Sequence, residues 1–487
     1  PGLFSSQNEQ DNRWYSRLAK IPTFEPCDSQ EAKDYVKLAF EMSEKFDTPC
    51  LIHSVMRVSH CKSVVELGER TENTKVLEKF PRNLPKYNCT AMYARVMHAR
   101  IEENIKKIAE YVETCGINRV EMRDTKMGII CTGVMYAYIK DVFPNASVLK
   151  LGMSYPLPQN MIKDFASKVD KVYVIEELDP VIEEQVKSMG VDCVGKELFP
   201  ACYELLPDRL LDICLENGIL KDDPRTHDVK EVENLPGRNP VLCAGCPHRS
   251  TYYVLKKHDI ACAGDIGCYN LGAQPPFEAQ HTMGCMGASI GQLHGMSLAN
   301  LPENRVCTIG DGTFWHSGLP ALANMVHNNG RGVVILMDND NTAMTGHQDN
   351  PATDYRVLRN VEATKIDIPA VCRAMGVELV KTVNAFDVNE VEAGLKECMA
   401  YDKVSVLITK GECVQFNKFS STPYTVEADK CIACQTCFKC GCPAIMVSDE
   451  ENPKTYKKKC RIDPTLCNGC GICSQVCPVK AIVKKED

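Results

Sequence analysis

At 487 residues, 44% of them hydrophobic and 25% charged, with a formal net charge of -8 at pH 7, the chain has the composition of a globular protein too long for a single core. Its charge shows no long single-sign block, which argues against nucleic acid or an anionic membrane as partner. No run approaches the ~18 apolar residues of a spanning helix, and the start, PGLFSSQNEQDNR, has no basic region followed by an apolar one, so the chain reads as cytoplasmic. Twenty-eight cysteines in such a chain point to metal or redox work, because reducing compartments keep structural thiols free. The chain opens on Pro1 in loop-like sequence with no strand before it, which places residue 1 inside a larger architecture.

Residues 28–58 read as helix then strand. Asp28 is a predicted N-cap with Glu31 three positions on, and Ala32, Tyr35, Val36, Ala39, Phe40 and Met42 trace one helical face before the apolar run CLIHSVM. Residues 100–200 repeat the alternation. Ile101, Ile105, Ile108 and Val112 mark an amphipathic helix, and GIICTG, SVLKLGM and KVYVIEEL read as strands between helical patterns. Such alternation predicts an α/β fold with parallel sheets. The polar, proline-bearing stretch 221–240 is a boundary, after which apolar strands at RVCTIG and GVVILMDN continue the rhythm. A second linker, 416–430, leads into a cysteine-rich tail.

Between those linkers, GDG at 310–312 follows one apolar strand, and Asn339 ends the next. Ligands of parallel sheets collect at the carboxyl ends of strands. Gly310 and Gly312 let backbone approach a diphosphate, while Asp311, the Asn339 side-chain oxygen and the Asn341 carbonyl suit an octahedral Mg2+. This pattern resembles the thiamine diphosphate motif; GDG without its spacing and flanking strands would be an ordinary turn. No GxGxxG occurs, which disfavours a nicotinamide or flavin Rossmann site. His248, His316 and His347 are acid-base candidates by residue type, although a hydrogen-bonded structural histidine is an equal use of each. Thr345 and Gln348 in TGHQ are expected to line the same pocket. CAGC at 243–246 is ambiguous between zinc, a redox dithiol and a cluster.

The tail holds CIACQTCFKCGCP and CNGCGICSQVCP. The second has the C-x2-C-x2-C-x3-C-P spacing in which three close thiolates ligate one cubane and the fourth ligates the other. On that pattern Cys431, Cys434, Cys437 and Cys477 hold one 4Fe-4S cluster, and Cys467, Cys470, Cys473 and Cys442 a second. Cys440 and Cys460 are left over as bystanders. Structural zinc also uses C-x2-C, but it needs neither a third cysteine at the same interval nor the Cys-Pro.

SSQNEQDNR, CAGCPHR, GDIGCYNLGA, MGASIG, TAMTGHQ and the two-cluster tail span nearly the whole chain. In that order they resemble the 2-oxoacid:ferredoxin oxidoreductases, most closely the large (α) subunit of the indolepyruvate type. The resemblance implies thiamine-diphosphate-binding parallel-sheet domains, a transketolase C-terminal-like domain and a C-terminal ferredoxin domain with two clusters. Its boundaries fall at 1–65 for the end of a pyrimidine-binding domain, 66–235 for the transketolase-like domain, 236–422 for the diphosphate- and Mg-binding domain and 423–487 for the ferredoxin domain. It also implies a third, proximal 4Fe-4S cluster on Cys243, Cys246, Cys268 and Cys413. The family's aminopyrimidine-activating glutamate belongs to a segment that would precede Pro1, so the chain is truncated there or a separate subunit supplies it.

The implied activity is oxidative decarboxylation of an arylpyruvate to acyl-CoA and CO2, with coenzyme A collecting the acyl group and ferredoxin taking the electrons. Position beside the motifs favours His248 and His347 as the acid-base residues. A smaller β subunit is implied as partner, giving a hetero-oligomer. The same chemistry on another 2-oxoacid, or an electron-transfer subunit with an inactive thiamine fold, are the alternatives.

Overall fold

The computed structural model describes residues 9–70, 72, 82–225, 235, 237, 239–299, 305–353, 362–416 and 422–485. Parts of SSQNEQDNR and of both linkers lie outside the described residues. The chain divides into two compact units, residues 1–231 and 232–487. No helix among the described residues is long and apolar enough to cross a membrane.

The first unit contains β1 (Thr23–Phe24), β2 (Leu51–Ile52), β3 (Arg119–Glu121), β4 (Asp124–Thr132), β5 (Ala146–Leu151), β6 (Met153–Tyr155) and β7 (Val172–Val174). Four of these form a sheet in the order β3-β5-β4-β7, in which β4 runs parallel to both neighbours and β3 antiparallel to β5. β5 is buried along its whole length, because crossover helices cover both faces of such a sheet. The predicted cap is present: the Glu31 amide donates to Asp28 Oδ1 (2.8 Å), and Glu31 Oε2 reaches back to accept from the Cys27 amide (2.9 Å). The helix Ser29–Phe46 buries Tyr35, Ala39 and Met42, but Val36 and Phe40 are exposed. They lie one residue on from Tyr35 and Ala39, about 100° round the helix, and so face away from the buried stripe.

A buried ion network ties the N-terminal segment of this unit to the loop after β7. Arg13, 5% exposed, donates through Nε to Asp11 Oδ1 (2.9 Å) and through Nη1 to Glu176 Oε2 (2.7 Å). Its Nη2 reaches Asp11 Oδ2 (2.5 Å) and the carbonyls of Glu177 (2.9 Å) and Asp179 (3.1 Å). Glu176 in turn accepts from the amides of Ile182 (3.0 Å) and Glu183 (2.9 Å) at the start of the helix Val181–Ser188. Burial opposes the guanidinium charge, but Glu176 and Asp11 outweigh it and hold the pKa of Arg13 above its ordinary value. The resemblance motif that contains Arg13 therefore has a structural task in this chain.

The second unit holds β8 (Cys262–Gly264), β9 (Gln280–Met283), β10 (Val306–Gly310), β11 (Gly332–Asp338), β12 (Leu379–Asn384) and β13 (Val404–Lys410) in one six-stranded sheet. The order is β12-β13-β11-β10-β8-β9, with every pair parallel. β11, read from GVVILMDN, is buried at every position, as a central parallel strand must be. The tail adds two antiparallel pairs, β14 (Tyr424–Val426) with β17 (Ile482–Lys484) and β15 (Ile445–Glu451) with β16 (Lys458–Ile462). Its helix Ile472–Val476 docks through Gln475, which accepts from the Val388 amide (2.9 Å) and donates to the Phe386 carbonyl (2.7 Å).

Replacing Arg13 by Met strands two buried carboxylates and is expected to cost ~3–5 kcal/mol. Arg17→Met, which removes an exposed pair with Glu184, is expected to cost under ~1 kcal/mol. Denaturant midpoints of the full chain measure both; equal losses from the two substitutions would contradict the buried network's role.

Candidate active site

β8 has β9 on one side and β10 on the other, so the direction of winding reverses between β8 and β10. A crevice opens at the carboxyl ends of strands at such a point. Here it is lined by residues 266–269 after β8, by 310–313 at the end of β10, and by Asn339 and residues 341–345 after β11, with His248 closing one wall. Asp265, fully buried, fixes the first loop: Oδ1 accepts from the amides of Ile266 (2.8 Å) and Gly287 (2.7 Å), and Oδ2 from that of Ser289 (3.0 Å). A Cβ at Gly310 would run into the Tyr269 ring, which explains the glycine there.

Three oxygens converge beside that loop. The Asn339 amide oxygen stands 3.1 Å from Asp311 Oδ1 and 2.7 Å from the Asn341 carbonyl. Turning the amide would let its nitrogen donate to both; with the oxygen inward, the three form a cation-ready set. Oxygens ~2.1 Å from an octahedral Mg2+ lie ~3.0 Å apart at adjacent corners, so the donor set fits that ion. Asp311, 2% exposed, is pushed up to about 7 by burial and by the Asp338 charge, although Asn350 and the amides of Gly312 and Asn341 work the other way. A bound divalent cation would supply the missing positive charge. Asn341, which lines the crevice, has its amide Nδ2 buried without a partner, a donor suited to a diphosphate oxygen.

The histidines separate clearly. His248, 3% exposed, begins the helix His248–Lys257, and burial pulls it down to about 4, so it is neutral at physiological pH. Its ring meets Tyr269 edge-on, with centroids 6.1 Å apart. His347 takes a left-handed conformation (φ 62°), stacks on Phe416 and places Nδ1 2.9 Å from Asn341 Oδ1; it is not among the crevice-lining residues and reaches the crevice through that asparagine. His316 is exposed and away from the crevice lining. Thr345 lines the crevice, whereas Gln348 stands behind it, accepting from Thr345 Oγ1 (2.5 Å) and donating to the Thr345 carbonyl (2.9 Å).

The thiols gather in three groups. Cys246 faces Cys243 and Cys268, and Cys268 also faces Cys413, whose amide donates to the Asn339 carbonyl (3.1 Å). Burial pushes Cys246 up to about 12 and Cys268 up to about 11, so ligation there displaces protons. In the tail, Cys431, Cys434, Cys437 and Cys477 line one cavity. Cys470 and Cys473 each interact electrostatically with Cys442 and Cys467, which makes these four a second group. Amides already point at two of these sulfurs, Tyr424 at Cys467 Sγ (3.4 Å) and Ala481 at Cys477 Sγ (3.3 Å). Among the described residues no group of three or more His, Cys, Asp or Glu side chains is placed to hold a single metal ion.

Four features escape sequence reasoning. Arg249, 1% exposed, donates through Nη1 to the Cys440 carbonyl (2.9 Å) and through Nε to the Cys243 carbonyl (2.9 Å), so one buried cation joins the CAGC loop to the tail. Asn468, between Cys467 and Cys470, donates to the Ala244 carbonyl (2.7 Å) and fills the space where Gly245, at φ +71°, lacks a side chain. Lys410 donates to Asp338 Oδ2 (2.9 Å), its neighbour in the β11–β13 register, and neutralises a carboxylate beside the oxygen set. Cys440 and Cys460, left over by the motif spacing, both stand close to the tail groups: Cys440 interacts electrostatically with Cys473, and Cys460 lines the first cavity. The hairpin register that turns Cys460 inward is a long-range property that motif spacing does not carry.

Residues 265–409 match the thiamine pyrophosphate enzyme C-terminal TPP binding domain, and residues 461–483 match the 4Fe-4S binding domain. The indolepyruvate oxidoreductase subunit IorA of Pyrococcus horikoshii is 37% identical over 532 aligned residues, covering 100% of this chain and 81% of that protein. The IorA of Archaeoglobus fulgidus is 37% identical over 514, covering 99% and 80%. Over 62 residues the chain is 40% identical to the pyruvate synthase subunit PorD of Methanothermobacter marburgensis, covering 13% of this chain and 64% of that protein. With that likeness over its full length, the chain belongs to the 2-oxoacid:ferredoxin oxidoreductase family, as an oxidoreductase whose thiamine diphosphate domain works with iron–sulfur electron transfer.

Proposed function

We propose that this chain catalyses the thiamine-diphosphate- and CoA-dependent oxidative decarboxylation of an arylpyruvate of the indolepyruvate type, together with a smaller β subunit and with ferredoxin as acceptor. One observation carries the proposal: Cys268 lines the diphosphate crevice and at the same time faces Cys243 and Cys413, so the reaction site and the first thiol cage share a loop. The reaction balances as a 2-oxoacid anion plus CoA thiol giving acyl-CoA, CO2, one proton and two electrons. Each cubane normally takes one electron, so a chain of three clusters is a suitable sink.

Thiamine diphosphate, when bound, supplies the nucleophilic carbon and the electron sink that a 2-oxoacid needs to lose CO2. The chain's residues bind and orient it. Asp311, the Asn339 side-chain oxygen and the Asn341 carbonyl would hold Mg2+, and Gly310 and Gly312 would let the backbone come close to the diphosphate. Neutral His248 is available as a proton acceptor on the crevice wall, and His347 fixes the Asn341 side chain. Thr345 closes the crevice, backed by Gln348. Cys243, Cys246, Cys268 and Cys413 would hold a proximal cluster, and the two tail groups would hold two further clusters able to take up electrons. An electron-transfer subunit with an empty fold is disfavoured by the intact oxygen set.

Asp311→Asn is expected to weaken cofactor retention by at least ~100-fold, and chelation of Mg2+ to release thiamine diphosphate from the wild type, with iron content unchanged in both. Thiamine and iron assays on anaerobic material read this out. The loaded chain should hold about twelve iron atoms, falling to about eight in Cys413→Ser as the proximal cluster is lost. About eight in the wild type would remove the proximal cluster from the proposal. In the complete complex, indolepyruvate and phenylpyruvate should turn over well ahead of pyruvate and 2-oxoglutarate. The reverse order would overturn the aryl assignment while leaving the reaction class intact.

A further inference from the structure

The first tail cavity is lined by five thiols, one more than a cubane uses: Cys431, Cys434, Cys437, Cys477 and Cys460. Cys460 comes from neither cluster motif. It sits on β16, paired with Val447 of β15, and Ile462, two residues on and so on the same face, is buried in the tail's apolar cluster. The register therefore turns the Cys460 sulfur inward. It lies 3.9 Å from Cys431 Sγ and also within hydrogen-bonding reach of Cys437.

That spacing limits what the thiol can do. Two thiolates sharing one tetrahedral metal at ~2.3 Å lie ~3.8 Å apart. Each iron of a cubane already carries three sulfides, which leaves one position for cysteine. Thiols 3.9 Å apart therefore compete for the same iron corner and do not serve two. We infer that Cys460 is a reserve ligand of the first tail cluster, taking the iron corner of Cys431 or Cys437 when that thiolate is displaced or lost. Cys434 and Cys477 complete the cage without a nearby substitute of this kind. The exchange is one thiolate for another on the same iron: one Fe–S bond breaks, one forms, the incoming thiol gives up a proton, the outgoing thiolate takes one, and no electron moves.

The inference rests on the cluster assignment above, and the experiment separates the two. The anaerobically loaded full chain is compared with Cys431→Ser, Cys434→Ser, Cys460→Ser and the double variant Cys431→Ser/Cys460→Ser by iron content and by EPR of the dithionite-reduced state. Cys431→Ser and Cys460→Ser should keep the wild-type iron, with an altered EPR line shape in Cys431→Ser alone, while Cys434→Ser and the double variant should lose about four iron atoms. Native alkylation followed by mass spectrometry gives a reading that needs no variant: of the five cage thiols, Cys460 should take up iodoacetamide in the loaded wild type. Loss of the cluster from Cys431→Ser or from Cys460→Ser alone, or shielding of Cys460 equal to that of the other four in the wild type, overturns the reserve role. A wild-type tail without iron overturns the cluster assignment itself.

Discussion

The arrangement of the second unit depends on one buried cation. A guanidinium taken out of water carries a large desolvation penalty unless its donors are met. Arg249 is covered almost completely, and among the described residues it forms no ion pair with a carboxylate; its donors go to the carbonyls of Leu242, Cys243 and Cys440. Those carbonyls belong to two cysteine loops nearly two hundred residues apart in sequence. Withdrawing either loop would strand the cation, so the CAGC turn and the tail are held together more tightly than apolar contact alone would achieve. Asn468 reinforces the same junction from the tail side, and Gly245 can adopt its left-handed turn there only because no side chain competes for the space.

The crevice is governed by a second electrostatic constraint. Asp311 directly follows β10 and Asp338 ends β11, its parallel neighbour, so their charges are brought close by the same sheet geometry that creates the crevice. Lys410, one strand further out and in register with Asp338, neutralises that carboxylate. Asp311 has no cation of its own among the described residues, and its pKa is held up at about 7, a shift that a divalent ion at the site would oppose. One divalent ion would meet both features of the site, a carboxyl raised by burial and an amide oxygen aimed at two other oxygens.

Local patterns were readable where a single element determines them. The Asp28 cap, the buried strands in GVVILMD and SVLKL, and the clustering of tail cysteines each follow from a few consecutive residues. The diphosphate crevice was readable because it needs two strand ends and a known crossover. What spacing failed to show was pairing between distant segments. Arg249 looks like any surface arginine until Cys440 is brought above it, and Cys460 looks spare until the β15–β16 register is known. Val36 and Phe40 misled for the opposite reason, since apolar residues beside a buried stripe look the same in sequence as those within it.

The crevice and the thiol groups are linked residue by residue within the unit. Cys268 lines the crevice and also interacts with Cys243 and Cys413. The CAGC turn that carries Cys243 and Cys246 is bonded through Ala244 to the loop carrying Cys467 and Cys470. Cys477 stands with the thiols of the first tail run and Cys442 with those of the second, the exchange that the spacing of the two runs predicts. The positive charge of Arg249 lies between the CAGC turn and the tail, bonded to a carbonyl of each. A buried cation whose donors are all met by carbonyls keeps its full charge, so the residue that holds the two cysteine loops together also sets the electrostatic character of the space between them.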